Sequence, residues 1–178
     1  YQDADAGVMV TGSHHPADYN GFKFVLGGHA LGGAGLAGLR ERVEQRCFSE
    51  GDGGEEQRDV LPAYLNAMQR RHELSRPMKV VVDCGNGAAA VAAPEALILM
   101  GCDVVPLFLE VDGHFPNHTP DPADPDTLHD LRVTVRDARA DLGLAFDGDG
   151  DCLGVVLPDG ELVYPDLLLK AGGTGSPL

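Results

Sequence analysis

Lys79-Val80-Val81-Val82-Asp83 is a short run of β-branched residues that ends on a carboxylate and has turn formers on both sides. A run this short and apolar reads as a strand buried on both faces. Two further strand-like runs lie in GCDVVPLFLE (101–110) and DLGLAF (141–146). Between the three runs sit helix-period segments at about 88–100 and 126–139. The second has Leu128, Leu131, Val135 and Ala138 on one face, with Asp124 and Pro125 as its start signal. LGVVL (153–157) and ELVY (161–164) read as a hairpin around Pro158-Asp159-Gly160. Strand and helix in alternation require long crossovers, so the expected fold is α/β: mixed, mostly parallel sheets sandwiched by helices.

The segment before residue 74 has a different pattern. AGVMV (6–10) reads as a buried strand, TGSHHPADYNG (11–21) as a polar loop, and 22–26 as a second strand. A helix is expected near 36–47 with Leu36, Leu39 and Val43 on one face. An acidic loop follows at 49–58, then a helix from the N-cap Asp59 to about residue 73 with an apolar stripe of Val60, Leu61, Tyr64, Leu65 and Met68. Residues 74–77 read as a domain boundary. The tail 171–178 is linker-like, and with no initiator Met the chain reads as a fragment.

Charge excludes some functions. Lys and Arg number 13 against 28 Asp and Glu, a formal net charge of −15. Such a chain repels polyanions, so nucleic acid and anionic membranes are not expected partners. No apolar run is long enough to span a bilayer. Cys47, Cys84, Cys102 and Cys152 are scattered without CxxC spacing, which points to thiols in a reducing cytoplasm and away from structural zinc.

Three segments could carry chemistry. Asp147-Gly148-Asp149-Gly150-Asp151 follows a buried strand, at the sheet edge where α/β folds bind ligands. Carboxylates so close repel one another unless a cation sits among them, and oxygen ligands select Mg²⁺ or Ca²⁺. An EF-hand is excluded, because Cys152 and Pro158 stand where that loop needs Gly and Glu. Ser13, between Gly12 and His14 on a turn, suits a nucleophile or phosphate carrier, and Lys23 suits charge neutralisation or proton transfer. Gly85-Asn86-Gly87-Ala88-Ala89-Ala90 matches G-x-G-x-x-A, with Glu110 at the spacing of a ribose-binding acid. That leaves a dinucleotide site as a rival to a plain tight turn. His114, His118 and His129 have no metal-ligand spacing and read as loop or surface residues.

Four segments in order resemble the α-D-phosphohexomutases, closest to the bacterial phosphomannomutase/phosphoglucomutase branch. They are TGSHHPADYNGFKF (11–24), VVVDCGNGAA (80–89), EVDGHFPNHTPDP (110–122) and LGLAFDGDGDCLGVV (142–156). The resemblance implies two consecutive phosphohexomutase-type domains. The first, incomplete, covers 1–75 with the phosphoserine loop and connecting helix, and the second covers 76–170 with the metal loop. It implies that Ser13 is the phosphorylated serine and that His14 and Lys23 act beside it. Asp147, Asp149 and Asp151 would hold Mg²⁺, with an oxygen of phosphorylated Ser13 as a further ligand. The implied partners are a hexose phosphate, a hexose 1,6-bisphosphate and the missing domains of the same cytoplasmic enzyme. Here Cys152 stands where the family's loop continues with Arg, and His15 where Asn is usual. Two other expectations are a remnant that binds metal or sugar phosphate without turnover, and a dinucleotide-binding oxidoreductase domain.

Overall fold

A computed structural model describes residues 4–71 and 74–163. Tyr164, the end of the helix expected to reach residue 73, and the tail lie outside the described residues. The chain divides into two compact units, Tyr1–Thr11 with Asn20–Asp59, and Gly12–Tyr19 with Val60–Leu178.

In the first unit β1 (Ala6–Val10), β2 (Phe22–Leu26) and β3 (His29–Ala30) form an antiparallel sheet in that order. Val8 pairs with Phe24 and Met9 with Lys23. Gly27 and Gly28 join β2 to β3 with φ of 55° and 79°. Two successive left-handed residues make the tight hairpin turn whose twist suits flanking strands, and glycine adopts them without penalty. Helix α1 spans Ala34–Glu44.

The expected burial of β1 is not found: all five of its residues are exposed, Val10 at 60%. Alternation along a strand buries a side chain only when a second layer covers that face. No described layer does so here. Helix α1 likewise buries none of its residues, so Leu36, Leu39 and Val43 do not form a core stripe.

The second unit is a five-stranded sheet in the order β5-β4-β6-β7-β8. These strands are β4 (Lys79–Asp83), β5 (Asp103–Leu107), β6 (Leu142–Phe146), β7 (Leu153–Val156) and β8 (Leu162–Val163). β4 pairs in parallel with β5 and β6, whereas β7 and β8 add on antiparallel as the expected hairpin. Among the described residues three α-helices accompany the sheet: α2 (Leu61–Arg71), α3 (Ala93–Leu99) and α4 (His129–Asp137).

β4 is covered on both faces, as its composition predicts. Val81 packs with Leu128, Leu131, Val135 and Val156, while Val80 and Val82 pack against Ala89, Ala90, Leu97 and Phe146. The first set carries α4 and the second α3, so helices flank the sheet on both sides. A Cβ on Gly143 would come within 2.6 Å of Val135 Cγ2 and 2.8 Å of Leu131 Cδ1. Glycine in β6 therefore lets α4 seat directly on the sheet. In α2 only Leu65 is fully buried, and Val60 and Tyr64 of the expected stripe are exposed.

The single helix expected at 88–100 is two pieces, a 3₁₀ turn Ala88–Val91 and then α3, with Pro94 in its first turn. Proline has no N–H to continue a preceding helix, so the helix restarts there. The segment 126–139 also begins as a 3₁₀ turn, Pro125–Leu128, capped by Asp124 accepting from Asp126 N at 3.0 Å.

Two arginines of α4 hold the β7–β8 turn. Arg132 Nε donates to Gly160 O at 2.9 Å, and Arg136 Nε and Nη2 both donate to Asp159 O at 2.9 and 2.7 Å. Arg136→Ala should lower stability by about 1 kcal/mol, the net value of such bonds near solvent. A urea melt with an unchanged slope would check this. No change in midpoint would show that the clamp is energetically idle. At the other end, Asp141 accepts from Arg76 Nη2 at 2.7 Å and from Lys79 N at 2.8 Å. The Arg76 guanidinium, with the Lys79 amide, holds the Asp141 carboxyl below its ordinary range. No helix among the described residues is long and apolar enough to cross a membrane.

Candidate active site

β6 ends at Phe146 and delivers Asp147 at the carboxyl edge of the sheet. The loop then folds back on Asp147. Gly150 N donates to Asp147 O at 3.1 Å, with φ of 78° at Gly150, and Cys152 N donates to Asp147 Oδ1 at 2.9 Å. Asp147 is fully buried, yet its Oδ2 meets no hydrogen-bond donor. Burial first, and then the charges of Asp149 and Asp151, push the Asp147 carboxyl above its ordinary range. Cys152 N–H acts in the opposite direction. Ligand atoms of Asp147, Asp151 and Cys152 fall within 4.8 Å of one another.

This donor set fits a hard divalent cation. A buried carboxylate oxygen without a donor, among other carboxylates, is costly until a positive charge occupies the gap. Asp149 is half-buried in the same loop. The Cys152 thiol is exposed, and sulfur is a soft donor in a set of carboxylates that suits a hard cation, so the oxygens carry the site.

The acidic loop is held from below by the glycine turn after β4. Ala88 N donates to Gly148 O at 3.0 Å, and a Cβ on Gly87 would sit 2.8 Å from that same oxygen. The remaining amides of the turn are also engaged. Gly85 N donates to Asp83 Oδ1, Asn86 N to Phe108 O, and Gly87 N to Cys84 O. A dinucleotide site needs such amides turned toward a pyrophosphate. Here they are spent inside the protein, and the Glu110 carbonyl accepts from Asn86 Nδ2 at 2.7 Å. The glycine pattern is therefore a packing device and not a cofactor cradle.

The Ser13 loop belongs to the same compact unit as the acidic loop. His15 N donates to Gly12 O at 3.0 Å and Tyr19 N to Pro16 O at 2.9 Å. The rings of His14, His15 and Tyr19 stack in succession, 4.9 and 5.3 Å apart. Ser13 has φ of 51°, a left-handed conformation uncommon for a residue with a side chain. A Cβ on Gly148 would overlap the Ser13 carbonyl oxygen, so the two loops meet backbone to backbone. Ser13 is half-buried and His14 exposed. Lys23 lies on β2, in the first unit, paired with Met9.

One polar cluster has no counterpart in the sequence reading. His118, expected at the surface, has 15% of its side chain exposed and bonds through Nε2 to Asp83 Oδ2 at 3.0 Å. Asp83 is 1% exposed. Asn117 Nδ2 donates to Asn86 Oδ1 at 2.7 Å beside this pair. The visible signal was a carboxylate ending a run of valines, which demands a partner. Its partner lies 35 residues on, and no local pattern marks it. His114 and His129 are exposed, as expected. The four cysteines form no disulfide, and burial with the Asp83 charge pushes the Cys84 thiol up to about 12.

Comparison with known proteins follows the same lines. The family description "Phosphoglucomutase/phosphomannomutase, alpha/beta/alpha domain II" matches residues 62–160, and the corresponding domain I matches residues 1–49. Phosphomannomutase/phosphoglucomutase of Pseudomonas aeruginosa is 52% identical over 167 residues, covering 94% of this chain and 36% of that protein. Phosphoglucomutase of Neisseria gonorrhoeae is 45% identical over 163 residues, covering 90% and 35%. A crystal structure of a phosphoglucomutase/phosphomannomutase family protein from Burkholderia thailandensis superposes with a TM-score of 0.92 at 46% identity, covering 96% of this chain and 37% of that one. This chain thus spans little more than a third of the length of the relatives it matches. Its two matched domains, its mixed α/β sheets and its sequence place it in the phosphoglucomutase/phosphomannomutase family.

Proposed function

We propose that the chain is part of a phosphohexomutase that interconverts hexose 6-phosphates and hexose 1-phosphates, with Ser13 as the phosphoryl carrier. The observation that carries this reading is the contact of the Ser13 backbone with Gly148, inside a loop whose buried Asp147 oxygen lacks a donor. A carrier serine beside acids suits phosphoryl transfer, where positioning and charge neutralisation do most of the catalysis.

Asp147, Asp149 and Asp151 would hold the cation, with an oxygen on phosphorylated Ser13 completing the set. Mg²⁺ is the ion we assign, and when bound it offsets the charge of about −1.5 to −2 that a phosphoserine brings. Ser13 Oγ gives its phosphoryl group to a sugar hydroxyl oxygen: the Oγ–P bond breaks, the new O–P bond forms, the hydroxyl proton passes to a base, and the departing Oγ takes up a proton. The resulting hexose 1,6-bisphosphate turns end for end and returns its other phosphoryl group to Ser13. His14 and Lys23 are assigned to proton transfer and phosphate contact. The sugar phosphates and the remaining domains of the same enzyme are the proposed partners, and unpaired thiols suit a cytoplasmic setting.

Incubation with glucose 1,6-bisphosphate and Mg²⁺, followed by peptide mapping, should place one phosphoryl group on Ser13. A group on another residue, or on none, overturns the assignment. A second reading, binding without turnover, is favoured by Cys152, a neutral thiol where relatives of this family carry Arg. A coupled mutase assay of wild type beside Cys152→Arg separates the two. Silence in both supports the binding protein.

A further inference from the structure

We propose that His118 is a positioning residue for the acidic loop, held as an imidazolium between Asp83 and the Thr119 carbonyl. Both ring nitrogens face acceptors. Nδ1 lies 2.8 Å from Thr119 O, and Nε2 lies 3.0 and 3.2 Å from the two oxygens of Asp83. A carbonyl can only accept, and Asp83 Oδ1 already accepts from Gly85 N. A proton on each nitrogen satisfies both contacts, and that form is the cation.

Its neighbours favour the same state. Asp83, at the end of β4, and Asp130, on α4, are the ionisable groups acting on it among the described residues, and both are acids. Phe108 meets its ring edge-on at 5.3 Å. The Asp83 hydrogen bond, against the opposing effect of burial, raises the His118 pKa above the ordinary value.

The link to the acidic loop runs through the next residues. Pro120 is fully buried, with its Cβ 3.0 Å from where a Cβ on Gly85 would stand and its Cγ 3.5 Å from the same point on Gly148. Pro120 is thus wedged between the turn after β4 and the acidic loop. His118 ties this wedge to β4 by the only charged group in the segment 115–120. Releasing that tie frees the floor beneath Gly148. The consequence for metal binding rests on the function proposed above, but the positioning itself does not.

A raised histidine pKa means that the pair contributes fully below the ordinary value of about 6.5, and the contribution is lost as pH rises through the raised value. Nitrogen-15 NMR of the whole 178-residue chain tests this. His118 should show two protonated ring nitrogens at pH 6.5. On raising the pH, the amides of 148–152 should shift with the same midpoint as His118. In His118→Gln those amides should already be shifted at neutral pH, with β1 and β2 unmoved. Calorimetry should show Mg²⁺ binding to that variant weakened about tenfold, the lower end for partners outside the ligand set.

A His118 ring with one protonated nitrogen at pH 6.5 overturns the proposal, as do acidic-loop amides indifferent to its titration. Should His118→Gln fail to fold, the wild-type titration decides alone. If the wild type binds no Mg²⁺ while the amides still follow His118, the metal assignment falls and the positioning role stands.

Discussion

Asp147→Asn is expected to abolish saturable Mg²⁺ binding and, in metal-free buffer, to raise the melting temperature. The two effects share one cause. Asp147 is fully buried with one oxygen lacking a donor, and burial and neighbouring acids raise its pKa. A carboxyl whose pKa rises on folding stabilises the fold only when protonated. That contribution is present below the unfolded value of about 3.9 and is lost as pH rises through the folded one. At neutral pH without metal the charge therefore opposes folding. Asparagine keeps the shape, its amide oxygen can still accept from Cys152 N, and the charge is gone. The gain should be about 1–2 kcal/mol, the scale of one unsatisfied buried group, or roughly 2–8 °C in a chain of this size. The lost affinity should exceed the roughly 10–100-fold seen for partners outside the ligand set. Calorimetry with Mg²⁺ and thermal melts with and without metal read both. Unchanged Mg²⁺ affinity would remove Asp147 from the ligand set. A lower metal-free melting temperature would show that its charge is already compensated.

Gly148→Ala should cost about 1–3 kcal/mol by overpacking and should weaken Mg²⁺ binding as well. Its new methyl group would overlap the Ser13 carbonyl and sit 3.5 Å from Phe115 Cζ and Pro120 Cγ. A clash with a flexible side-chain end is cheap to relieve. Here the obstacle is main chain in a loop closed by the Gly12–His15 hydrogen bond. Either the Ser13 loop or the acidic loop must move, and the acidic loop carries Asp147 and Asp149. Gly113→Ala is the control, since a Cβ there meets nothing within 4 Å, and it should stay within about 0.5 kcal/mol of wild type. Urea melts and Mg²⁺ titrations of the two variants decide. Equal midpoints for both would mean that the contact between the two loops is loose in solution.

Much of the second unit was legible in the chain because its signals are local. The valines of β4 demanded cover on both faces and received it. The spacing of Leu131 and Val135 marked the buried face of α4, whereas Asp124 with Pro125 marked the start of the 3₁₀ turn that precedes it and buries Leu128. The acidic pentapeptide was legible for the same reason, since repulsion among its carboxylates is set by the spacing along the chain. The order of the four motifs was enough to indicate the family.

Other features were decided only by tertiary contact. β1 has the composition of a core strand and yet is exposed, because burial depends on what covers a strand and not on the strand itself. Gly85 and Gly87 follow a cofactor pattern, but the Asp83 carboxylate and the Cys84 carbonyl had taken their amides. His118 looked like any loop histidine until Asp83 lay 3.0 Å from it. Periodicity, capping and charge spacing act within a few residues and can be read in a window. Which distant group fills a turn, pairs a buried acid or covers a face depends on how separated segments pack, and no window of sequence contains that.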